Sequence, residues 1–130
     1  MSQPDRIQLR YLLDSVIIID HLSGVGEATE FMSLHGHESA ISVITRAEVL
    51  AGIMADYERA VVGLLNQFIT LPVTTAVADQ AAKLRQTERW KLPDAIQAAV
   101  AMDNNLALVT RNSRDFKDGQ PVRVLTPYAT

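Results

Sequence analysis

Residues 10–20, RYLLDSVIIID, constrain the fold of this chain more than any other stretch. The apolar run at 11–13 shows no alternation of polar and apolar residues, which is typical of a strand buried on both faces of a parallel sheet. The run stops at Asp14, and Ser15 begins a predicted helix. Because ligands bind outside the carboxyl ends of parallel strands, Asp14 is well placed for a functional site. Aspartate is also a preferred helix N-cap, so the sequence leaves both roles open.

Strand-like and helix-like segments alternate along the rest of the chain. Further strands are predicted at 39–43, 68–73, 106–110 and 122–125, with helices between them. Thr45 and Glu48 have capping-box spacing, which predicts that a helix begins at Thr45. Two apolar stripes that break near Asp56 predict a protruding helical hairpin. The order predicts a three-layer α/β/α fold with a central parallel sheet of about five strands, in one domain covering residues 1–130.

Composition excludes several classes of protein. The net charge of −3 argues against a generally electropositive nucleic-acid binder, so any nucleic-acid contact needs a local basic patch or a bound metal. The absence of cysteine excludes disulfides and thiolate metal sites. No apolar run reaches the roughly 20 residues of a membrane span, and residues 1–9 lack the apolar core of a signal peptide. We therefore expect a cytoplasmic protein that does not associate with membranes.

Four acidic residues are predicted to meet at one edge of the sheet. Asp14 and Asp115 follow strands, Glu48 lies near the start of a helix leaving a strand, and Asp94 opens the helix that feeds the fourth strand. Each has a simpler explanation, as a cap, a first-turn acid favoured by the helix dipole or a loop charge. Four carboxylates in one pocket repel one another unless a cation lies between them. An all-oxygen ligand set selects a hard cation, Mg²⁺ or Mn²⁺.

Basic residues lie beside these acids in the sequence. They are Arg46, Arg111, Arg114 and Lys117. Together they could hold a polyanion over a metal ion. Taken individually, each is better explained as solvated surface.

With these residues assembled, the chain resembles a PIN domain, and in particular the VapC-type toxin of a toxin–antitoxin pair. The segments that carry the resemblance are YLLDSVIIIDHL, TRAEVLAG, LPDAIQAAVA, TRNSRDF and VRVLTP. The resemblance implies Mg²⁺- or Mn²⁺-dependent cleavage of RNA by an activated water. It implies a catalytic and metal-binding quartet of Asp14, Glu48, Asp94 and Asp115, supported by Ser15, Thr110 and Asn112. It also implies a homodimer and a cognate antitoxin, in a heterotetramer or larger assembly. One departure is Val16, where the family motif usually has asparagine or serine.

Three other interpretations compete with the nuclease. A phospho-receiver domain needs an aspartate at the end of strand three, where this chain has Leu71-Pro72-Val73. A haloacid-dehalogenase-like phosphatase needs a second aspartate at the position of Val16. A non-catalytic PIN scaffold that acts through protein contacts would not need the four acids.

Trp90 could stack on a base or pack against the preceding helix.

Overall fold

The computed structural model describes residues 8–112, 114, 116 and 121–129. The strands are β1 Tyr11–Leu13, β2 Ser39–Ser42, β3 Ile69–Leu71, β4 Ala107–Val109 and β5 Val124–Leu125. The helices are α1 Ser15–Leu22, α2 Gly26–His35, α3 Val43–Ala51, α4 Glu58–Leu65, α5 Thr75–Glu88 and α6 Leu92–Asp103. Short 3₁₀ turns at Gly36–Glu38 and Ala55–Tyr57 follow α2 and precede α4.

The five strands form one sheet in the order β3-β2-β1-β4-β5. Each of the four strand pairings is parallel. In register, Leu12 of β1 lies opposite Ala40 of β2 and Leu108 of β4. This arrangement confirms the predicted α/β fold. It also makes β1 the central strand, so the residue that follows β1 lies in the middle of the carboxyl edge.

Helices cover both faces of the sheet, as the apolar β1 run predicts. Leu12 packs with α5 and α6, whereas Leu13 packs with α1, α3 and α4. Both leucines are fully buried. Helix α6 presents four completely buried alanines to this core. Their small side chains suit a helix that lies close to its neighbours, and Pro93 near its start is compatible with the free amides of a first turn.

The start of α3 differs from its prediction. The helix begins at Val43 and is capped by Ser42, whose hydroxyl accepts a hydrogen bond from the Thr45 amide at 3.1 Å. The prediction that Thr45 opens this helix, with Glu48 as its capping partner, is therefore wrong. Glu48 lies in the second turn and is exposed. Thr45 is instead fully buried, and its side chain turns towards the end of β1.

The helical hairpin is present, and the break between its two helices, residues 52–57, includes Asp56 as predicted. Helix α3 ends at Ala51, a 3₁₀ turn follows, and α4 begins at Glu58. Arg46 joins the two helices, since its Nη1 donates to Asn66 Oδ1 at 2.9 Å. On the face of the sheet that α5 and α6 cover, Trp90 is buried and meets the Phe116 ring edge-on, with ring centroids 4.8 Å apart. Among the helices of the described residues, none is long and apolar enough to cross a membrane.

Candidate active site at the carboxyl edge

Asp14 leaves the central strand directly at the carboxyl edge. Its amide donates to the Val109 carbonyl of β4 at 2.9 Å, which extends the sheet by one residue. Asp14 occupies the N-cap position of α1, but its carboxylate accepts from the first amide of the helix, that of Ser15. Typical cap bonds are made to the second or third helical amide. The carboxylate is therefore turned away from the usual capping geometry.

Three donors from different parts of the chain hold the Asp14 carboxylate. Oδ1 accepts from the Ser15 amide at 2.9 Å and from Gln97 Nε2 at 3.4 Å, and Oδ2 accepts from the Thr110 hydroxyl at 2.8 Å. The Asn112 amide donates in turn to Thr110 Oγ1 at 3.1 Å. Burial raises the pKa of Asp14, and these hydrogen bonds offset only part of that rise. The site thus holds a carboxylate whose negative charge is poorly solvated.

A buried polar cluster lies beneath Asp14. Ser42, Thr45, Gln97 and Thr110 are each at most 2% exposed. Ser42 and Thr45 come from the β2–α3 junction, Gln97 from α6 and Thr110 from the end of β4. Sequence reasoning identified Thr110 and missed the roles of the other three. Two of them had a signal, because Thr45 and Gln97 lie three residues from Glu48 and Asp94 and so share their helix faces.

The other predicted acids are placed as follows. Glu48 is exposed on α3. Asp94 is partly buried in the first turn of α6. Asp115 lies outside the described residues. Within the part of the chain that the structure describes, three or more histidine, aspartate or glutamate side chains do not converge on a metal site.

The predicted basic residues have different environments. Arg111 forms a bidentate pair with Asp20 of α1, with Nε–Oδ2 and Nη2–Oδ1 distances of 2.7 and 3.3 Å. Tyr128 donates its hydroxyl to Asp20 Oδ2 at 2.8 Å. We call Asp20, Arg111 and Tyr128 the Asp20 clamp. Arg114 is exposed, and Lys117 lies outside the described residues.

The clamp changes the titration of its members. The hydrogen bonds from Arg111 hold the pKa of Asp20 below its ordinary value. Desolvation and the neighbouring Asp20 carboxylate raise the pKa of Tyr128. The clamp keeps Asp20 ionised and fastens Arg111, just after β4, and Tyr128, beyond β5, to α1. Arg111 is therefore anchored beside Asp14, and its charge offsets a further part of the rise that burial causes in the pKa of that acid.

The oxygen ligands available at this edge fit a hard divalent cation. A carboxylate has about four acceptor positions, and the described residues supply three donors to Asp14. The described residues therefore leave one acceptor position of Asp14 for a further partner. The acids predicted for this edge offer oxygen ligands only, which is the set preferred by Mg²⁺ and Mn²⁺. A cation would also stabilise the ionised form of a carboxylate that burial disfavours.

Comparisons with known proteins agree with this architecture. The family model described as PIN domain matches residues 11–119. The chain belongs to the PIN domain family. Ribonuclease VapC10 of Mycobacterium tuberculosis is 33% identical over 112 residues, covering 81% of this chain and 84% of the relative. These matches confirm the predicted family and place this PIN domain with the VapC-type proteins.

Solved structures show the same relationship. A toxin–antitoxin complex from Klebsiella pneumoniae contains a chain that is 37% identical, with a TM-score of 0.84, covering 92% of this PIN domain and 99% of that chain. DNA-bound VapBC from Salmonella typhimurium gives a TM-score of 0.77 at 24% identity, covering 91% and 98% of the two chains. At that identity the second likeness speaks for the fold alone.

Proposed function

We propose that this PIN domain is a Mg²⁺- or Mn²⁺-dependent endoribonuclease that acts as the toxin of a toxin–antitoxin pair. The observation that carries the proposal is the buried Asp14 carboxylate, held by three donors at the centre of the carboxyl edge. Support for RNA as the substrate comes from the similarity to a protein named as a ribonuclease. A non-catalytic scaffold has no evident use for a desolvated carboxylate so elaborately supported.

The acids proposed to hold the metal are Asp14, Glu48, Asp94 and Asp115. When bound, such an ion lowers the pKa of a water ligand and neutralises charge on a phosphodiester. The protein's own contribution is to orient the acids. Thr110 and Gln97 fix the Asp14 carboxylate, and the fold brings α3 and α6 to the same edge.

Local positive charge is proposed to hold the RNA backbone. The residues proposed are Arg46, Arg111, Arg114 and Lys117. Because the whole chain has a net charge of −3, binding depends on these side chains near the site and on the metal. Arg111 already has a carboxylate partner, so we expect it to contribute mainly by anchoring the segment that carries Arg114.

Asp94→Asn separates an enzyme from a scaffold. RNA cleavage with Mg²⁺ or Mn²⁺ should fall by at least about two orders of magnitude, since Asp94 would no longer supply a charged ligand. The control is Asp103→Asn, which removes the same charge from the exposed far end of the same helix, roughly 13 Å along its axis. Asp103→Asn should retain activity. Undiminished cleavage by Asp94→Asn would contradict the assignment.

Thermal unfolding of the same variants tests the shared metal pocket without substrate. With EDTA, Asp94→Asn should melt above the wild type because repulsion among the acids is relieved. Mn²⁺ should stabilise the wild type, by about 2.7 kcal/mol at a hundredfold excess over Kd. Asp94→Asn should gain clearly less, and Asp103→Asn should gain as much as the wild type. Equal shifts in all three proteins would remove Asp94 from the metal site.

The antitoxin partnership rests on exposed apolar surface and on the likeness to a toxin–antitoxin complex. Leu22, Met54 and Tyr57 are 41%, 69% and 60% exposed and line a groove of about 620 Å³. So large an apolar surface favours protein partners, here a cognate antitoxin and a second copy, giving a homodimer within a heterotetramer or larger assembly. Induced expression should arrest growth, and co-expression of the antitoxin should restore it. Asp94→Asn should be harmless, whereas normal growth with active protein would end the toxin proposal.

A further inference from the structure

We propose that Gln97 is a positioning residue of the active site, whose side-chain amide fixes Asp14 and Thr45. It does so through the hydrogen bonds that join Asp14, Ser42, Thr45 and Gln97, which we call the relay. The proposal rests on the proposed function, since it concerns the same metal site. Gln97 is 2% exposed and lies between fully buried alanines of α6. Burying a primary amide is costly unless its hydrogen bonds are made, so a small apolar residue would suit this position better if packing alone mattered.

Each hydrogen bond of the relay has a defined donor. Ser42 Oγ donates to Gln97 Oε1 at 2.7 Å and accepts from the Thr45 amide at 3.1 Å. Gln97 Nε2 donates to Thr45 Oγ1 at 2.6 Å and to Asp14 Oδ1 at 3.4 Å. Thr45 Oγ1 donates in turn to the Leu13 carbonyl at 3.2 Å. Every hydroxyl hydrogen in this set is used once.

The relay allows only one orientation of the Gln97 amide. Exchanging the amide oxygen and nitrogen would direct Oε1 at the Asp14 carboxylate, so that two acceptors would face each other. It would also leave the Ser42 hydroxyl facing an NH₂ donor. The observed orientation presents a donor to Asp14, as the Thr110 hydroxyl does from the other side. Asp14 is therefore held between two neutral donors that favour its ionised form.

The relay also connects the elements that carry three of the acids. Gln97 lies one turn after Asp94 on α6, and Thr45 lies one turn before Glu48 on α3. The Gln97–Thr45 bond therefore ties these two helix starts to each other. Each residue also bonds to the end of β1, Gln97 to Asp14 and Thr45 to the Leu13 carbonyl. Metal affinity depends strongly on such supporting contacts, whose loss typically weakens binding about 10- to 100-fold.

Gln97→Met tests the inference, because methionine has a similar shape and makes none of the three hydrogen bonds of the Gln97 amide. The control is Ser39→Ala, which removes a partly buried hydrogen bond of the buried Ser39, from its Oγ to the His35 carbonyl at 2.8 Å, at the start of β2 and away from the site. Mn²⁺ affinity is measured by titration calorimetry without RNA, and kcat and KM with RNA at saturating Mn²⁺. Thermal unfolding with EDTA shows that each variant is folded.

Gln97→Met should weaken Mn²⁺ binding about 10-fold or more and lower kcat, with KM for RNA within twofold of the wild type. Ser39→Ala should change neither Mn²⁺ binding nor kcat, although it also loses a partly buried hydrogen bond. Thr45→Val should have a smaller effect, and the double variant should lose no more than Gln97→Met, because both act through one relay.

Three results would overturn the inference. If Mn²⁺ affinity and kcat are unchanged in Gln97→Met, Gln97 has only a structural role, and the proposed nuclease function is unaffected. Equal losses in Ser39→Ala would assign the effect to general destabilisation. A wild-type protein that neither binds Mn²⁺ nor cleaves RNA would overturn the proposed function and this inference together.

Discussion

Asp20→Asn should destabilise the protein by about 2–3 kcal/mol at pH 7. Losing one partner of a buried ion pair costs about 3–5 kcal/mol. The Asp20 side chain is 11% exposed, but Arg111 is 29% exposed and stays partly hydrated, which lowers the cost. Asparagine also keeps one acceptor for Arg111 or Tyr128. At this chain length the loss corresponds to a Tm lower by roughly 7–11 °C.

The pH dependence identifies the cause. Arg111 holds the pKa of folded Asp20 below its ordinary value of 3.8. The clamp therefore makes its full contribution to the free energy of unfolding at pH values above that ordinary pKa. This contribution is lost as the pH falls through the folded pKa. The difference between wild type and Asp20→Asn should therefore be constant between pH 7 and 5 and shrink by pH 3.

Urea unfolding at pH 7, 5 and 3 measures this difference. The single tryptophan, Trp90, is 5% exposed and provides the fluorescence signal. Tyr128→Phe should cost less, about 1 kcal/mol, since the ion pair remains. The exposed Asp103→Asn serves again as the charge control and should stay within about 0.5 kcal/mol of the wild type. A loss below about 0.5 kcal/mol for Asp20→Asn, or one unchanged at pH 3, would refute the assignment of a stabilising ion pair.

Two further changes test packing and backbone strain. Trp90→Ala should lower the free energy of unfolding by about 3–5 kcal/mol, because it opens a cavity beside Phe116; urea unfolding followed by circular dichroism measures it, and a near-neutral result would contradict a packing role. Arg89→Gly should raise stability by up to about 1 kcal/mol, because Arg89 ends α5 with a φ of 62° in the left-handed region; a lower Tm would show that the arginine side chain outweighs its backbone strain.

Local sequence predicted the elements whose form depends on local chemistry. β1 has the predicted limits and α1 begins at the predicted residue, and burial on both faces of β1 follows from its unbroken apolar run. The placement of Asp14 at the edge then follows from parallel topology. These features depend on apolar patterning and on the rule that parallel strands share a carboxyl edge.

The start of α3 could not be decided locally. Ser42 and Thr45 each have a hydroxyl that can accept from the amide three residues later, at Thr45 and Glu48. The sequence therefore contains two possible helix caps. A bond from Ser42 to Gln97, 55 residues away, favours the first. The Asp20 clamp was missed for the same reason, because it joins residues 91 and 108 positions apart. Side-chain networks of this kind depend on tertiary contacts that no local pattern records.

The strand order has a consequence for synthesis of the protein. Asp14 is made early, whereas the Thr110 hydroxyl that holds it comes 96 residues later. Pairing of β1 with β4 likewise joins residues 96 positions apart, and such long-range contacts form late. A nascent chain therefore carries an unsupported Asp14 until β4 has left the ribosome. If the protein is the nuclease proposed here, its site stays incomplete for as long as β4 is inside the ribosome, next to ribosomal and transfer RNA.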